Sequence, residues 1–276
     1  MRRALYTLAG LIAALALFAT VCFIEATRDP VIRRTTVALP GLPSTAAPIR
    51  VVLISDIHIG SAAMGPRRLT RIVERIDALH PDLVLIAGDF IFGDDPFGAA
   101  KLGPAMIGPL SQLRARFGTI AVTGNHDWWT GVGSVRDLLA RAHIRLLSNR
   151  AVAVGPLALG GIDDDYSGHA AVADTLDQLR TLPGARVLVS HSPDIAPDLP
   201  RDMPLLLAGH THCGQVVLPF YGPISDVTRY GARYRCGVKH EGPRTVIVTA
   251  GLGTSGAPFR FGAPPDLWLI NFVPAR

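Results

Sequence analysis

Five short apolar runs in this sequence each stop at a residue able to hold a cation, and no other feature restricts the fold as much. Arg50–Ser55 stops at Asp56, with His58 close behind, and Leu83–Ala87 runs into Gly88-Asp89. Thr119–Thr123 runs into Gly124-Asn125-His126-Asp127, Arg186–Ser190 into His191, and Leu205–Ala208 into Gly209-His210-Thr211-His212. Runs this short and this rich in Val, Ile and Leu read as buried strands. Between them, Leu69, Ile72, Val73, Ile76 and Leu79 fall at helical spacing over Arg67–Leu79. The pattern predicts further helices over Met106–Phe117, Val135–Ala142 and Ala171–Leu182, and strands over Leu157–Gly161, Thr245–Thr249 and Leu267–Phe272. Strands alternating with helices make an α/β domain. Ligands of open α/β sheets bind beyond the carboxyl ends of the strands, so these five ends are expected to converge on one rim.

The donors gathered there are carboxylates, one carboxamide and imidazoles, with no thiolate in the pattern. That set suits Mn, Fe, Zn or Co and disfavours an iron–sulfur or Cys-zinc site. It holds too many ligands for one tetrahedral ion. Two ions about 3.5–4 Å apart, sharing one carboxylate, would use them all. Any one strand-end Asp or His is as easily a turn cap; the successive set is not. His80, His143, His169 and His240 sit at no such end and read as surface or capping residues.

In order, D-I-H at 56–58, G-D-F at 88–90, G-N-H-D at 124–127, His191 and G-H-T-H at 209–212 resemble the calcineurin-like metallophosphoesterases from residue 51 to about 270. With the apolar N-terminus, the stretch from Gly209 to Pro223 resembles the bacterial membrane-associated branch. That branch includes phosphodiesterases and a UDP-2,3-diacylglucosamine pyrophosphatase of lipid A synthesis. The resemblance implies an α/β sandwich of two mixed β-sheets flanked by helices. It implies Asp56, His58 and His212 on one metal, Asn125, His191 and His210 on a second, and Asp89 bridging both. The cofactors it implies are two divalent cations, with Mn first and Fe, Zn or Co as alternatives. His126 would face the substrate as proton donor, and Asp127 would orient it through its other ring nitrogen. Two cations offset the charge of a phosphate ester and make a bound water nucleophilic near neutral pH. Phosphoryl transfer needs positioning and charge stabilisation more than a covalent nucleophile, and no Ser or Cys sits in a triad context. The soluble pyrophosphatases of that pathway carry Arg at the position of His126, so phosphodiester hydrolysis stays open beside pyrophosphate cleavage. A metallo-β-lactamase-like hydrolase needs H-x-H-x-D-H, which is absent. A non-catalytic metal-binding membrane protein would have degraded ligands, and here every position is filled.

Arg2-Arg3 precede an uncharged run from Ala4 to Ile24. Twenty-one residues at about 1.5 Å each span roughly 31 Å, a hydrocarbon core. Residues 1–25 therefore read as a single-pass membrane anchor, residues 26–49 as an extended stalk, and 50–276 as the catalytic domain. A cleaved signal peptide is the competing reading, but its apolar core is usually shorter and ends A-x-A, whereas this run exits through Ile24-Glu25-Ala26. Cys22 reads as lipid-facing. Arg2 and Arg3 on one flank nearly balance Arg28, Arg33 and Arg34 on the other, so the positive-inside rule assigns no orientation. The expected location is a bacterial inner membrane. The expected partners are the bilayer and a phosphoester or pyrophosphate substrate, lipid-linked ones included. The net charge of +5 lies mostly in the first 50 residues. The near-neutral body lacks the charge that drives nucleic-acid binding, so no nucleic-acid partner is expected.

Four secondary features stay open. Cys213 reads as a turn residue, a disulfide partner of Cys236 or a metal contact. Asp163-Asp164-Asp165 reads as a solvated turn or an extension of the site. Arg229, Arg233, Arg235 and Lys239 form a solvated basic loop or bind a second phosphate. Trp128-Trp129 with Phe90, Phe92 and Phe97 either pack under their loops or make an apolar rim.

Overall fold

The structure, a computed structural model, describes residues 2–275. The chain runs α1 (Arg2–Thr27), β1 (Val31–Leu39), β2 (Ile49–Ile54), α2 (Pro66–Asp77), β3 (Leu83–Ala87), α3 (Gly98–Leu102), α4 (Pro104–Leu110), β4 (Thr119–Val122), α5 (Asn125–Trp129), α6 (Val132–Arg141) and β5 (Arg145–Leu146). It continues through β6 (Arg150–Val154), β7 (Leu157–Gly161), α7 (Val172–Arg180), β8 (Ala185–Val189), β9 (Leu205–Ala208), β10 (Val217–Leu218), β11 (Gly222–Pro223), β12 (Gly237–Glu241), β13 (Arg244–Val248) and β14 (Asp266–Pro274). Two six-stranded mixed sheets result, ordered β1-β14-β2-β3-β4-β5 and β12-β13-β9-β8-β7-β6, with β10-β11 as a separate hairpin.

Side-chain alternation explains the layers. In β2, Val51 and Leu53 face the core between the sheets, while Val52 and Ile54 face the helices. In β3, Leu83 and Leu85 point inward and Val84 and Ile86 outward. Both faces are apolar because both are covered. Leu53, Leu85 and Val122 of the first sheet meet Leu159, Val187 and Leu207 of the second. Each such side chain contributes roughly 1.5–3 kcal/mol on burial. Helix α2 lays Leu69, Ile72, Val73 and Ile76 on the outer face of the first sheet, as their spacing predicts. Helix α7 covers the second sheet through Leu176 and Leu179.

Two expectations about the course of the backbone need correction. The helix expected over Met106–Phe117 ends at Leu110. Pro109 brings no N–H to the ladder, Ser111 closes the last turn, and the chain then turns so that Phe117 N donates to Asp82 O. The stalk expected over residues 26–49 is extended but not free. Val31–Leu39 forms β1, parallel to β14 in register Val31↔Asp266 to Leu39↔Pro274. Arg33 Nε donates to the buried Asp266 carboxylate at 2.5 Å, which fixes this strand.

Helix α1 leaves most of its apolar surface exposed, but its C-terminal end is tied to the domain. Cys22 and Ala26 are buried there, so Cys22 faces protein rather than lipid. Arg260 N donates to Cys22 O at 3.0 Å. The buried Arg68 guanidinium bonds the carbonyls of Arg28 (2.9 Å), Ala63 (3.0 Å) and Leu252 (2.9 Å).

Candidate metal centre

The carboxyl ends of β2, β3, β4, β8 and β9 do meet. They deliver Asp56, Asp89, Asn125, His191 and His210, and the loops just beyond add His58 and His212. Leaving a strand this abruptly takes unusual backbone. Asp56, His58, Asp89, His210 and His212 all have φ between 49° and 69°, a left-handed region that non-glycine residues seldom occupy outside over-determined sites. Gly88, at φ +81°, precedes Asp89. A Cβ there would meet Gly124 N at 2.7 Å and His191 Nδ1 at 2.9 Å, so only glycine lets the two loops close on each other.

The donor atoms form two groups. In one, Asp56 Oδ1 lies 3.3 Å from His212 Nε2 and 4.0 Å from His58 Nε2, and the two imidazole nitrogens are 3.2 Å apart. In the other, His191 Nε2 lies 3.1 Å from Asn125 Oδ1 and 3.1 Å from His210 Nδ1. Asp89 Oδ2 stands between them, 3.6 Å from His58 Nε2 and 3.3 Å from His191 Nε2. Outer partners set the rings. His58 Nδ1 lies 3.3 Å from Ile91 O, and His191 Nδ1 lies 2.7 Å from Ala87 O. Such contacts orient metal-ligating histidines.

These residues fit cations on three counts. Asp56 and Asp89 are buried, and among the described residues neither pairs with Lys or Arg, although burying a carboxylate is costly without positive charge. Asp56 Oδ1 is buried with no hydrogen-bond partner, as a ligand atom would be. Burial also keeps the imidazoles neutral: it pulls His58 and His210 down to about 3, and holds His212 well below its usual value with help from His58 and Arg260. A neutral imidazole keeps a lone pair for a cation. Burial likewise pushes the Asp56 carboxyl up to about 6. His191 goes the other way: burial lowers it, but the carboxylates of Asp89, Asp56 and Asp164 together hold it well above its usual value.

His126 sits beside this cluster, its ring edge-on to His58 with centroids 4.8 Å apart. One of its ring nitrogens, with His58 and an Asp89 oxygen, also makes a compact donor triplet, so position alone does not exclude His126 as a ligand. Its backbone N donates to Asp89 Oδ1 at 2.9 Å. The side chain is oriented by the Gly93 carbonyl, 2.6 Å from Nδ1, while Ser255 Oγ lies 3.3 Å from Nε2. Asp127 does not touch the ring, contrary to the expectation from the sequence. As the third residue of α5, its carboxylate turns back toward the helix start. It accepts from Gly124 N (2.9 Å), Asp89 N (3.0 Å) and Phe90 N (2.8 Å). It therefore clasps the loop carrying Asp89 to the loop carrying Asn125 and His126.

Sequence reasoning missed Ser255 and Arg260. Arg260 is fully buried behind His212, donating to the carbonyls of Gly253, Ala250 and Ala263 and lying 3.1 Å from His212 Nδ1. A single arginine in a loop carries no local mark of such a place. Of the features left open by the sequence, Cys213 and Cys236 form a disulfide. Asp163 and Asp164 are buried rather than solvated, Asp163 accepting from Thr123, Ser148 and Trp128. Arg229 pairs with Asp165 and Asp194, Arg233 with Glu241, and Arg235 with Asp226, so none of the three is free for a second phosphate. Phe90 is core, and Trp128 stacks on His169. Trp129 and Tyr166 do form an exposed aromatic rim, touching His126 and His210 respectively. His80, His143, His169 and His240 lie on the surface.

Comparison with known proteins agrees with this arrangement. Residues 49–214 match the family model described as calcineurin-like phosphoesterase. The YkuE protein of Bacillus subtilis, an uncharacterized metallophosphoesterase, is 32% identical over 231 residues, covering 80% of this chain and 78% of its own. An uncharacterized metallophosphoesterase of Helicobacter pylori is 28% identical over 259 residues, covering 91% of this chain and 66% of its own. A Danio rerio protein named transmembrane protein with metallophosphoesterase domain is 30% identical over 270 residues, covering 91% of this chain and 59% of its own. The chain thus spans about two thirds or less of the Helicobacter and zebrafish relatives. The ordered Asp, Asn and His strand ends, their convergence on Asp89 and the match over residues 49–214 together establish that this chain belongs to the calcineurin-like phosphoesterase family.

Proposed function

We propose that this chain is a two-cation phosphohydrolase held at a bacterial inner membrane by α1. The observation that carries the reading is Asp89 Oδ2, placed 3.6 Å and 3.3 Å from one histidine of each donor group. Asp56, His58 and His212 would hold one cation, Asn125, His191 and His210 the other, and Asp89 both, with Mn the first candidate. Cations in these positions would offset phosphoryl charge and make water nucleophilic near neutral pH. The remaining work falls to side chains. His126 is anchored through Nδ1 to Gly93 O, which leaves Nε2 on the far side of the ring. It donates a proton from that nitrogen to the leaving oxygen. Ser255 Oγ lies 3.3 Å from the same nitrogen. Trp129 and Tyr166 wall the mouth.

The proposed substrate class is a phosphoester or pyrophosphate on an amphiphile. UDP-2,3-diacylglucosamine is the specific candidate for a domain facing the cytosol. The Cys213–Cys236 disulfide favours a second reading, a broad phosphodiesterase or phosphatase on the outer face, since disulfides persist in oxidising compartments. One experiment separates them: the purified full chain is assayed with Mn²⁺ on UDP-2,3-diacylglucosamine and on an aryl phosphodiester. Turnover of the aryl ester alone removes the lipid A assignment, and turnover of neither removes the hydrolase reading.

A further inference from the structure

The relation between α1 and the loops that pack on it sets a depth. If the apolar run Ala4–Ile24 fills the hydrocarbon core, Ile24 lies near its edge. Phe18 then lies about 9 Å inside and Leu15 about 13 Å inside, at about 1.5 Å per residue. Neither side chain is alone at that level. The Phe18 ring lies 5.2 Å, centroid to centroid, from Phe261. Leu15, Phe18 and Cys22 also form one wall of a groove of about 560 Å³ whose other wall includes Val216, Ile224 and Phe259. Moving the membrane edge beyond Leu15 does not rescue a fully aqueous domain. Only Ala4–Ala14 or so would remain, roughly 16 Å, about half of a hydrocarbon core.

The domain side of this level presents large apolar side chains. Ile224 is largely exposed, and the β10–β11 hairpin that ends beside it presents Phe220 and Tyr221 in the open. Phe220 does so at φ +65°, a conformation disfavoured for an aromatic residue. Large exposed aromatic and aliphatic side chains grouped on one face mark an interaction surface. The groove also leads to the chemistry. Gln215 and Ser225 line both it and a smaller cavity that reaches His212 and Ser255.

We propose that the loops at 215–227 and 257–261 are immersed in the acyl layer beside α1, so that lipid chains fill the groove and the metal centre opens at the membrane surface. The inference rests on α1 being a membrane anchor, and its occupant is the bilayer itself.

Tryptophan reporters test it in the full chain reconstituted into phosphatidylcholine vesicles, with and without brominated acyl chains. Ile224→Trp is the reporter for the loops and Leu11→Trp for the anchor. Thr181→Trp, at the end of α7 and exposed, is the aqueous control. Each is read as the difference from the parent, which carries Trp128, Trp129 and Trp268. The expected result is that the added emission of Ile224→Trp is shifted to the blue and lost to bromolipid quenching, as is that of Leu11→Trp, while that of Thr181→Trp is not. Quenching at Leu11 with unquenched emission at Ile224 overturns the inference and leaves the anchor standing. Blue-shifted emission at Ile224 that bromolipid does not quench means that protein, such as a second copy of the chain, covers the face, and overturns it too. No quenching at Leu11 overturns the anchor and the inference together.

Discussion

Replacing Asp127 by alanine separates two accounts of that residue. Its carboxylate accepts from three backbone N–H groups, those of Asp89, Phe90 and Gly124, and the side chain is buried. Asp127→Ala strands all three donors. An unsatisfied buried N–H costs about 1–3 kcal/mol, and partial entry of water brings the expected total to about 3–6 kcal/mol. An unfolding entropy of about 2.1 cal/mol/K per residue gives roughly 0.6 kcal/mol/K for a chain of this length. The melting temperature should then fall by about 5–10 °C. Cation binding should weaken as well, because the same bonds hold the Asp89 loop against the Asn125 loop. The assay is thermal unfolding of the full chain in detergent, alongside metal content by mass spectrometry. Had Asp127 served only to orient the His126 ring, the variant would melt with the parent and lose rate alone. A melting temperature within about 1 °C of the parent, with metals retained, refutes the clasp.

Asp89→Ala should lose both cations, because its Oδ2 stands between the two donor groups; one metal retained per chain would count against the shared ligand. His126→Ala should keep its metals yet lose roughly 10²–10⁴ in kcat, and a metal-free variant would make His126 a ligand. Chelation should destabilise the chain, by about 2.7 kcal/mol for each cation lost relative to protein held at a hundredfold excess of free metal over Kd, and an unchanged melting curve would mean that the buried carboxylates need no cation. Reducing the Cys213–Cys236 disulfide, which closes a loop over a separation of 23 residues, should cost about 3 kcal/mol. Denaturant melting of the oxidised parent against the reduced parent and the Cys236→Ser variant checks this, and equal midpoints would count against it.

Much of the site was legible in the amino-acid order because its signals are local. A buried strand is a short run of Val, Ile and Leu, and a candidate ligand is a residue type at its end. Asp56, Asp89, Asn125, His191 and His210 follow strands whose bounds lie within a residue of those read from the pattern. Convergence then follows from the general rule for α/β sheets, not from any detail of this chain. The helix over Met106–Phe117 failed on a local signal that was present, Pro109.

The remainder depended on partners far away in sequence. Nothing in V-I-R-R-T-T-V-A-L names β14 as its neighbour; its two arginines and two threonines look solvated until Asp266, 233 residues on, takes Arg33. Asp127 resembled a partner for the adjacent ring, but a side chain bonds whatever the fold presents, and helix α5 turned it toward the amides of another loop. Arg229, Arg233 and Arg235 looked free because their carboxylates come from other segments or from across a turn. The amino-acid order alone determined which residue types stand at the strand ends and hence which chemistry is available. Which of them touch, which are buried and how deep the domain sits against α1 were decided by packing, because distance in space is set by the whole chain at once.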